Sequence, residues 1–380
     1  MQITDLTVET FNYKSRTARD SDGHAHPGPE HDAAQTLLRI QTDQGLEGYA
    51  FGVNAEAIKN IVKPMLLGED PFYRERIWTR LFERQRLHLG VLSDKVLCAV
   101  DLALWDLAGR ALNLPVHQLI GAARDKVRAY ASTMCGDDLP GGLDTPEAYA
   151  RFALQCKARG YTALKMHTWM PPIPGAPDPR RDAAACAAVR EAVGPEMTLM
   201  LDAFHYYSRE QALYLGRQLE RLNFFWIEEP MPEHSISSYV WLTQQLDIAV
   251  VGPETAEGKM FTRAEWITRG ASDISRGGVG DLGGITPLIK TAHLCESFGV
   301  RMEVHGNGVG NLNVLGTLSS GDTFYERGLL HPFLDYEQPQ PWLNELVDPL
   351  DSEGYVRIPT KPGLGLDINF DYIRANRLAR

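Results

Sequence analysis

The 380-residue chain has only five cysteines, more acid than base, and no apolar run long enough to cross a membrane. Cys98, Cys135, Cys156, Cys186 and Cys295 are odd in number, scattered and without a C-x-x-C pair, which argues against a disulfide framework or a zinc site and points to a reducing compartment. With 38 basic against 49 acidic residues the formal net charge is −11, so nucleic acid and anionic membranes are poor partners and an anionic substrate needs locally placed cations. The opening MQITDLTVETFNYKS lacks the basic segment, apolar stretch and cleavage site of a targeting peptide; the expected location is the cytoplasm. What is present is a globular composition, 44% hydrophobic and 23% charged, in a chain longer than the roughly 250 to 300 residues at which a single core stops growing. A barrel-sized body with a smaller second unit is expected.

Strand patterns run from Ile3 to Tyr13 and from Gln35 to Thr42, with Asp43-Gln44-Gly45 turning into Leu46 to Phe51. The polar, Gly/Pro-rich residues 15–32 between them show no periodicity and read as a mobile surface loop. A helix follows at SDKVLCAVDLALWDLAGRAL, with Ser93 as its N-cap and Val96, Leu97, Val100, Leu104, Leu107 and Ala111 on one face. After Gly121 short β-branched runs alternate with helical segments. Strand candidates begin near Val127, Tyr161, Thr198, Phe224, Ile248, Ser272, Val300 and Asp322, and eight such units indicate an α/β TIM-like barrel. Beyond Pro332 the chain becomes irregular, offers a short strand GYVRIP and returns to the first unit. The expected units are 1–125, 126–335 and 336–380.

Asp202, Glu228 and Glu254 close three successive strand candidates, each 26 residues from the last. One βα unit of a barrel takes roughly 30 residues, and active sites form at the C-terminal strand ends, so the three carboxylates belong side by side at that rim. Oxygen ligands of this kind suit Mg²⁺. Acids are common in this chain, and it is the repeated strand-end placement that separates these from surface acids. Glu229 reads as a supporting or structural neighbour.

Lys165 and His167 lie two apart in YTALKMH and therefore project to the same face. A lysine beside another base and a metal loses proton affinity, while a histidine titrates near neutrality unaided; the competing reading has Lys165 paired with barrel carboxylates. His305 ends the seventh strand candidate and approaches from the other side as a second acid or base. Glu326, on the eighth, either donates a hydrogen bond to a substrate carboxylate when protonated or pairs with an arginine.

These motifs resemble the enolase superfamily, and within it the mandelate racemase subgroup, over nearly the whole chain: LKMH at the second strand, LMLD, WIEEP and GPE at the ligand strands, GGIT at Gly283 to Thr286, and the histidine of VRMEVHGNG. The resemblance implies a (β/α)7β barrel, an α+β capping domain built from both chain ends, one essential Mg²⁺, and a dimer or octamer. It also implies proton abstraction beside the carboxylate of a small anionic hydroxy acid to give an enediolate, with metal and fixed donors stabilising the charge. Three positions depart from the family pattern. K-x-K is here K-x-H, which makes His167 a candidate base with Lys165 as its electrostatic partner. The asparagine two beyond the first ligand is here Phe204, followed by His205. The aspartate that partners the catalytic histidine is replaced, on the GGIT alignment, by Gly278. A partnerless His305 should be less basic and less firmly held, and works better as an acid, which favours dehydration of a sugar acid over two-base racemisation; Arg276 or Asp281 are possible substitutes. The segment with His24, His26 and His31 corresponds to the family's closing loop, and Arg180 and Arg181, in the insertion after His167, are possible anchors for a second anionic group.

Racemase, epimerase or lactone cycloisomerase activity is the main alternative, and a non-catalytic binding protein a remote one. Gly278, Gly280 and Gly283 formally match G-x-G-x-x-G with Glu303 downstream, but the pattern follows ASDIS deep in the barrel rather than a strand opening a dinucleotide-binding unit.

Overall fold

The computed structural model describes residues 1–88 and 90–378; the last two positions of the expected 336–380 unit lie outside them. Two sheets organise the chain. The first is an antiparallel meander, β1 (Ile3–Arg19), β2 (Ala25–Thr42) and β3 (Glu47–Phe51). The second is a curled sheet whose eight parallel strands are β4 (Lys126–Thr133), β5 (Ala163–His167), β6 (Thr198–Asp202), β7 (Trp226–Glu228), β8 (Ala249–Val251), β9 (Ile274–Gly277), β10 (Arg301–Val304) and β11 (Phe324–Leu330). They run in the order β10 to β4 and then β11, and helices occupy the intervals between them, as all-parallel connections require. The eight strand candidates read from the sequence all fall on these elements. The last, β12 (Tyr355–Arg357), pairs antiparallel with β4. Among the described residues no helix is long and apolar enough to cross a membrane.

Residues 15–32 correct the expectation of a loop. They complete one long hairpin, with Thr17 opposite Pro27, Ala18 opposite His26 and Arg19 opposite Ala25. Both faces of this ribbon are largely solvated, so the alternation that marks a half-buried strand is missing from the sequence. Its turn is set by Asp20, whose carboxylate accepts the backbone N–H of Asp22 and of His24 at 2.9 Å each.

The helix Asp94–Leu112 joins the two sheets. Leu97, Val100 and Leu104 pack on Leu38, Ile40 and Ala50 of the meander, each such buried side chain contributing about 1.5 to 3 kcal/mol. Gly48 of β3 is required there because a Cβ would collide with the Ala103 carbonyl and with Leu107. Ser93 precedes the helix as expected but its side chain caps nothing. Toward the barrel the same helix presents Asp101, which takes the Thr286 N–H at 3.0 Å and its hydroxyl at 2.6 Å, and Trp105, whose indole reaches the Thr286 hydroxyl at 3.0 Å. The GGIT turn is thus a docking point for the first unit. Near the chain's end Ile368, Ile373 and Trp342 pack with Phe11, Leu37 and Tyr49.

Candidate active site

Strand pairing sets the site. His167 on β5 is in register with Asp202 on β6, and Asp202 with Glu228 on β7, so three side chains end at one level. One oxygen each of Asp202, Glu228 and Glu254 lies within 4.8 Å of the others, all three buried. Oxygens around an octahedral Mg²⁺ at about 2.1 Å stand roughly 3 to 4 Å apart, so this all-oxygen set fits a hard divalent cation.

Two permanent cations lie among these acids. Lys165, fully buried, is 3.3 Å from Asp202 Oδ2, 3.1 Å from Glu228 Oε2 and 3.0 Å from Glu326 Oε1. Arg276, also fully buried, is 2.6 Å from Glu228 Oε1, 3.3 Å from Glu254 Oε2 and 2.8 Å from Glu326 Oε2. Four carboxylates against two cations leave negative charge for a divalent ion to balance. Burial and Arg276 oppose the Lys165 ammonium, but Glu228 and Glu326 outweigh them and hold it well above the usual lysine range. Burial and mutual repulsion with Glu228 and Asp202 push Glu254 well up. Burial opposes ionisation of Glu326, yet Lys165 and Arg276 prevail and hold it well below the usual carboxylate range. Of its two expected roles Glu326 therefore takes the arginine-paired one, and it also accepts from Ser132 Oγ at 2.7 Å and Gly306 N at 2.8 Å.

His167 Nδ1 lies 2.7 Å from the Thr133 carbonyl, which accepts only, so Nδ1 carries a proton and Nε2 faces the centre, 3.0 Å from Asp202. From the opposite side His305 Nε2 stands 3.1 Å from Glu254 Oε1.

Of the two suggested substitutes, Asp281 is the partner of His305, which corrects the expectation of a less basic, less firmly held histidine. Its Nδ1 lies 2.7 Å from Asp281 Oδ2. Asp281 sits on the short helix Val279–Leu282, whose first turn follows β9 directly, and the same oxygen accepts the Gly278 N–H at 2.7 Å. At Gly278, the position expected to carry the partner aspartate, a Cβ would collide with the His305 carbonyl oxygen. Burial works against the imidazolium, but Asp281 and Glu254 push His305 up to about 10. The other suggested substitute, Arg276, serves the acids instead. The G-x-G-x-x-G pattern lies on and around this short helix, and Glu303 points with Arg276 into the barrel, paired with it in register.

Around the mouth, His24 packs edge-on to Phe204, ring centroids 4.9 Å apart, and Phe204 lies 6.0 Å from the His167 ring. Asp20 holds His24 Nδ1 at 3.2 Å and His26 Nε2 at 2.9 Å, while His31 is exposed beside the Pro29 carbonyl. The tip of the hairpin therefore reaches the site and His31 does not. Arg181 is not brought to the carboxylates: its guanidinium stacks 3.7 Å over Trp169 and bonds the Asp144 carbonyl at 3.2 Å. The Arg180 backbone N–H bonds Asp178 at 2.9 Å, and among the described residues its guanidinium has no side-chain partner at the carboxylates. Glu229 is the supporting neighbour expected, its carboxylate accepting the Glu254 N–H. Sequence reading missed Ser132, Thr133, Glu233 and Arg263, whose contacts are made through backbone or across the fold and leave no local pattern.

Compared with known proteins, residues 148–372 match the family model "Enolase C-terminal domain-like" and residues 15–121 match "Mandelate racemase / muconate lactonizing enzyme, N-terminal domain". The chain belongs to the mandelate racemase/muconate lactonizing enzyme family. Its full length superposes on a crystal structure of D-glucarate dehydratase from Agrobacterium tumefaciens complexed with magnesium, with TM-score 0.97, 54% identity and 100% of each chain covered. Among curated relatives of the family, D-galactarolactone cycloisomerase of Agrobacterium fabrum is 29% identical, over 91% of this chain and 92% of that protein. L-talarate/galactarate dehydratase of Salmonella typhimurium is 28% identical, over 90% and 82%.

Proposed function

We propose that the protein is a magnesium-dependent hydro-lyase that removes the α-proton of a sugar acid, an aldonate or aldarate, and expels the β-hydroxyl as water to leave a 2-keto-3-deoxy acid. The observation that carries this reading is the convergence of three buried carboxylates between a histidine–lysine face and an opposing histidine. Similarity to D-glucarate dehydratase and to L-talarate/galactarate dehydratase supports the same reaction type.

Asp202, Glu228 and Glu254 would hold the Mg²⁺. When bound, it supplies Lewis-acid polarisation of the substrate carboxylate, without which the α-proton is far too weakly acidic. His167 takes that proton at Nε2, the nitrogen its Nδ1 bond to Thr133 leaves facing the centre. The Lys165 ammonium, 3.0 Å from Glu326 and on the same strand face as His167, is placed to stabilise the enediolate. On the opposite face His305, protonated and aligned by Asp281, gives a proton to the β-hydroxyl as the carbon–oxygen bond breaks. The resulting enol tautomerises to the ketone, taking up a proton at C3. Glu326 anchors Lys165 and Arg276.

The seven helical crossovers followed by an unaccompanied eighth strand support a (β/α)7β barrel for residues 126–335, capped by 1–125 and 336–380. The net charge and free cysteines fit a cytoplasmic enzyme, and the family resemblance favours a dimer or octamer. A cycloisomerase is the second reading, favoured by the similarity to D-galactarolactone cycloisomerase, since opening a lactone ring by β-elimination, with the ring carboxylate as leaving group, also begins with α-proton removal. A library of aldonic and aldaric acids with Mg²⁺, scored for 2-keto product, tests the proposal: ketone without a lactone substrate supports dehydration, and turnover of lactones alone would replace it.

A further inference from the structure

Glu254 is held by its peptide from both sides. Glu233, in the loop after β7, accepts the N–H of Glu254 at 3.0 Å and of Thr255 at 3.1 Å on Oε1, and the Thr255 hydroxyl at 3.0 Å on Oε2. Opposite it Arg263, a fully buried guanidinium on the helix Lys259–Arg269, is spent entirely on carbonyls. Nη2 reaches those of Pro253, at 3.0 Å, and Glu254; Nη1 those of Ala256 at 3.0 Å and Lys259 at 3.1 Å; Nε that of Arg276 at 3.2 Å. Stripping a guanidinium of water is costly, and here every N–H is used to fix the turn that carries Glu254 and the strand residue Arg276 that faces it.

We propose that Glu233 and Arg263 are positioning residues for the third metal ligand and set the protein's affinity for Mg²⁺. Neither belongs to the Asp202, Glu228 and Glu254 oxygen cluster. By fixing the C=O of residue 254, the N–H of Thr255 and, together with Glu229, the N–H of residue 254, they hold its carboxylate at one distance from Asp202 and Glu228, so that the cation meets a prearranged set of oxygens and no ordering of the β8 turn is needed on binding. The proposal rests on the reading of Asp202, Glu228 and Glu254 as Mg²⁺ ligands.

Isothermal titration of metal-stripped protein with Mg²⁺ tests it, with the Tm in EDTA measured alongside. Glu233→Ala should raise Kd about 10- to 100-fold. Glu233→Gln keeps the oxygen that receives both N–H groups and should recover most of that loss. Thr255→Val, at an exposed position, removes one bond of the clamp and should raise Kd about 2- to 10-fold with the Tm in EDTA unchanged. A Kd unchanged in Glu233→Ala while the wild type binds Mg²⁺ would overturn the clamp alone, as would a loss that Glu233→Gln fails to recover. A wild type that binds no Mg²⁺ would overturn the ligand reading and the clamp with it.

Discussion

Asp281 meets His305 at 2.7 Å from the first turn of a short helix, three residues beyond the strand-end position that Gly278 occupies. The pairing restores what the missing aspartate withholds: it fixes the imidazole tautomer and stabilises its charged form. Asp281→Asn should therefore lower kcat about 10²- to 10⁴-fold, with little change in Mg²⁺ affinity. Steady-state kinetics at saturating Mg²⁺ check this; a loss confined to KM would show that Asp281 acts on binding instead.

Restoring the family's aspartate in its usual place should fail. Gly278→Asp brings a Cβ into the His305 carbonyl oxygen, so it should lower the Tm, and in combination with Asp281→Asn it should not rescue kcat. Recovery of activity in the double variant would mean that the strand end yields more readily than the backbone contact implies.

The dyad also carries a pH signature in metal-free protein. His305 rises from 6.5 to about 10 on folding, so the native state keeps a proton that the unfolded chain releases. Its contribution is fully present below pH 6.5 and is lost as pH climbs to 10. Thermal melts in EDTA across that window should show a decline that Asp281→Asn makes shallower.

Removing one acid from the centre should cost binding and not folding. Burial and repulsion disfavour the charged form of Glu254, so Glu254→Gln should leave the Tm in EDTA unchanged or higher while abolishing the rise on adding Mg²⁺. For the wild type that rise corresponds to about 2.7 kcal/mol at 100 Kd of free ion. Differential scanning fluorimetry with and without Mg²⁺ reads both.

Arg276→Met should be the opposite case. It leaves Glu228, Glu254 and Glu326 buried beside one cation fewer, and breaking buried pairs in this way costs about 3 to 5 kcal/mol. Chemical denaturation in EDTA measures it, and a change under 1 kcal/mol, by the same reasoning, would mean that water or protons compensate.

The barrel strands were legible because each is a short apolar run with a fixed partner in sequence order, and the three acids because strand ends recur at one interval. Lys165 and His167 followed from the two-residue period of a strand. What was not legible depends on contacts between distant segments. Residues 15–32 look like a loop because a ribbon wet on both faces has no burial pattern to print in its sequence. Gly278 looks like a lost partner because the carbonyl that excludes a side chain there belongs to His305, 27 positions later. Arg263 looks like any polar residue of an amphipathic helix, since carbonyl acceptors carry no sequence signature.

The most direct measurement is proton NMR of the aldonic and aldaric acid library incubated in D₂O with the metal-stripped protein, with and without Mg²⁺. The account predicts a 2-keto-3-deoxy acid carrying deuterium at C3, formed only when Mg²⁺ is present and lost in His167→Asn. Deuterium exchange or inversion at the α-carbon without ketone would contradict it, as would a product formed equally well in EDTA.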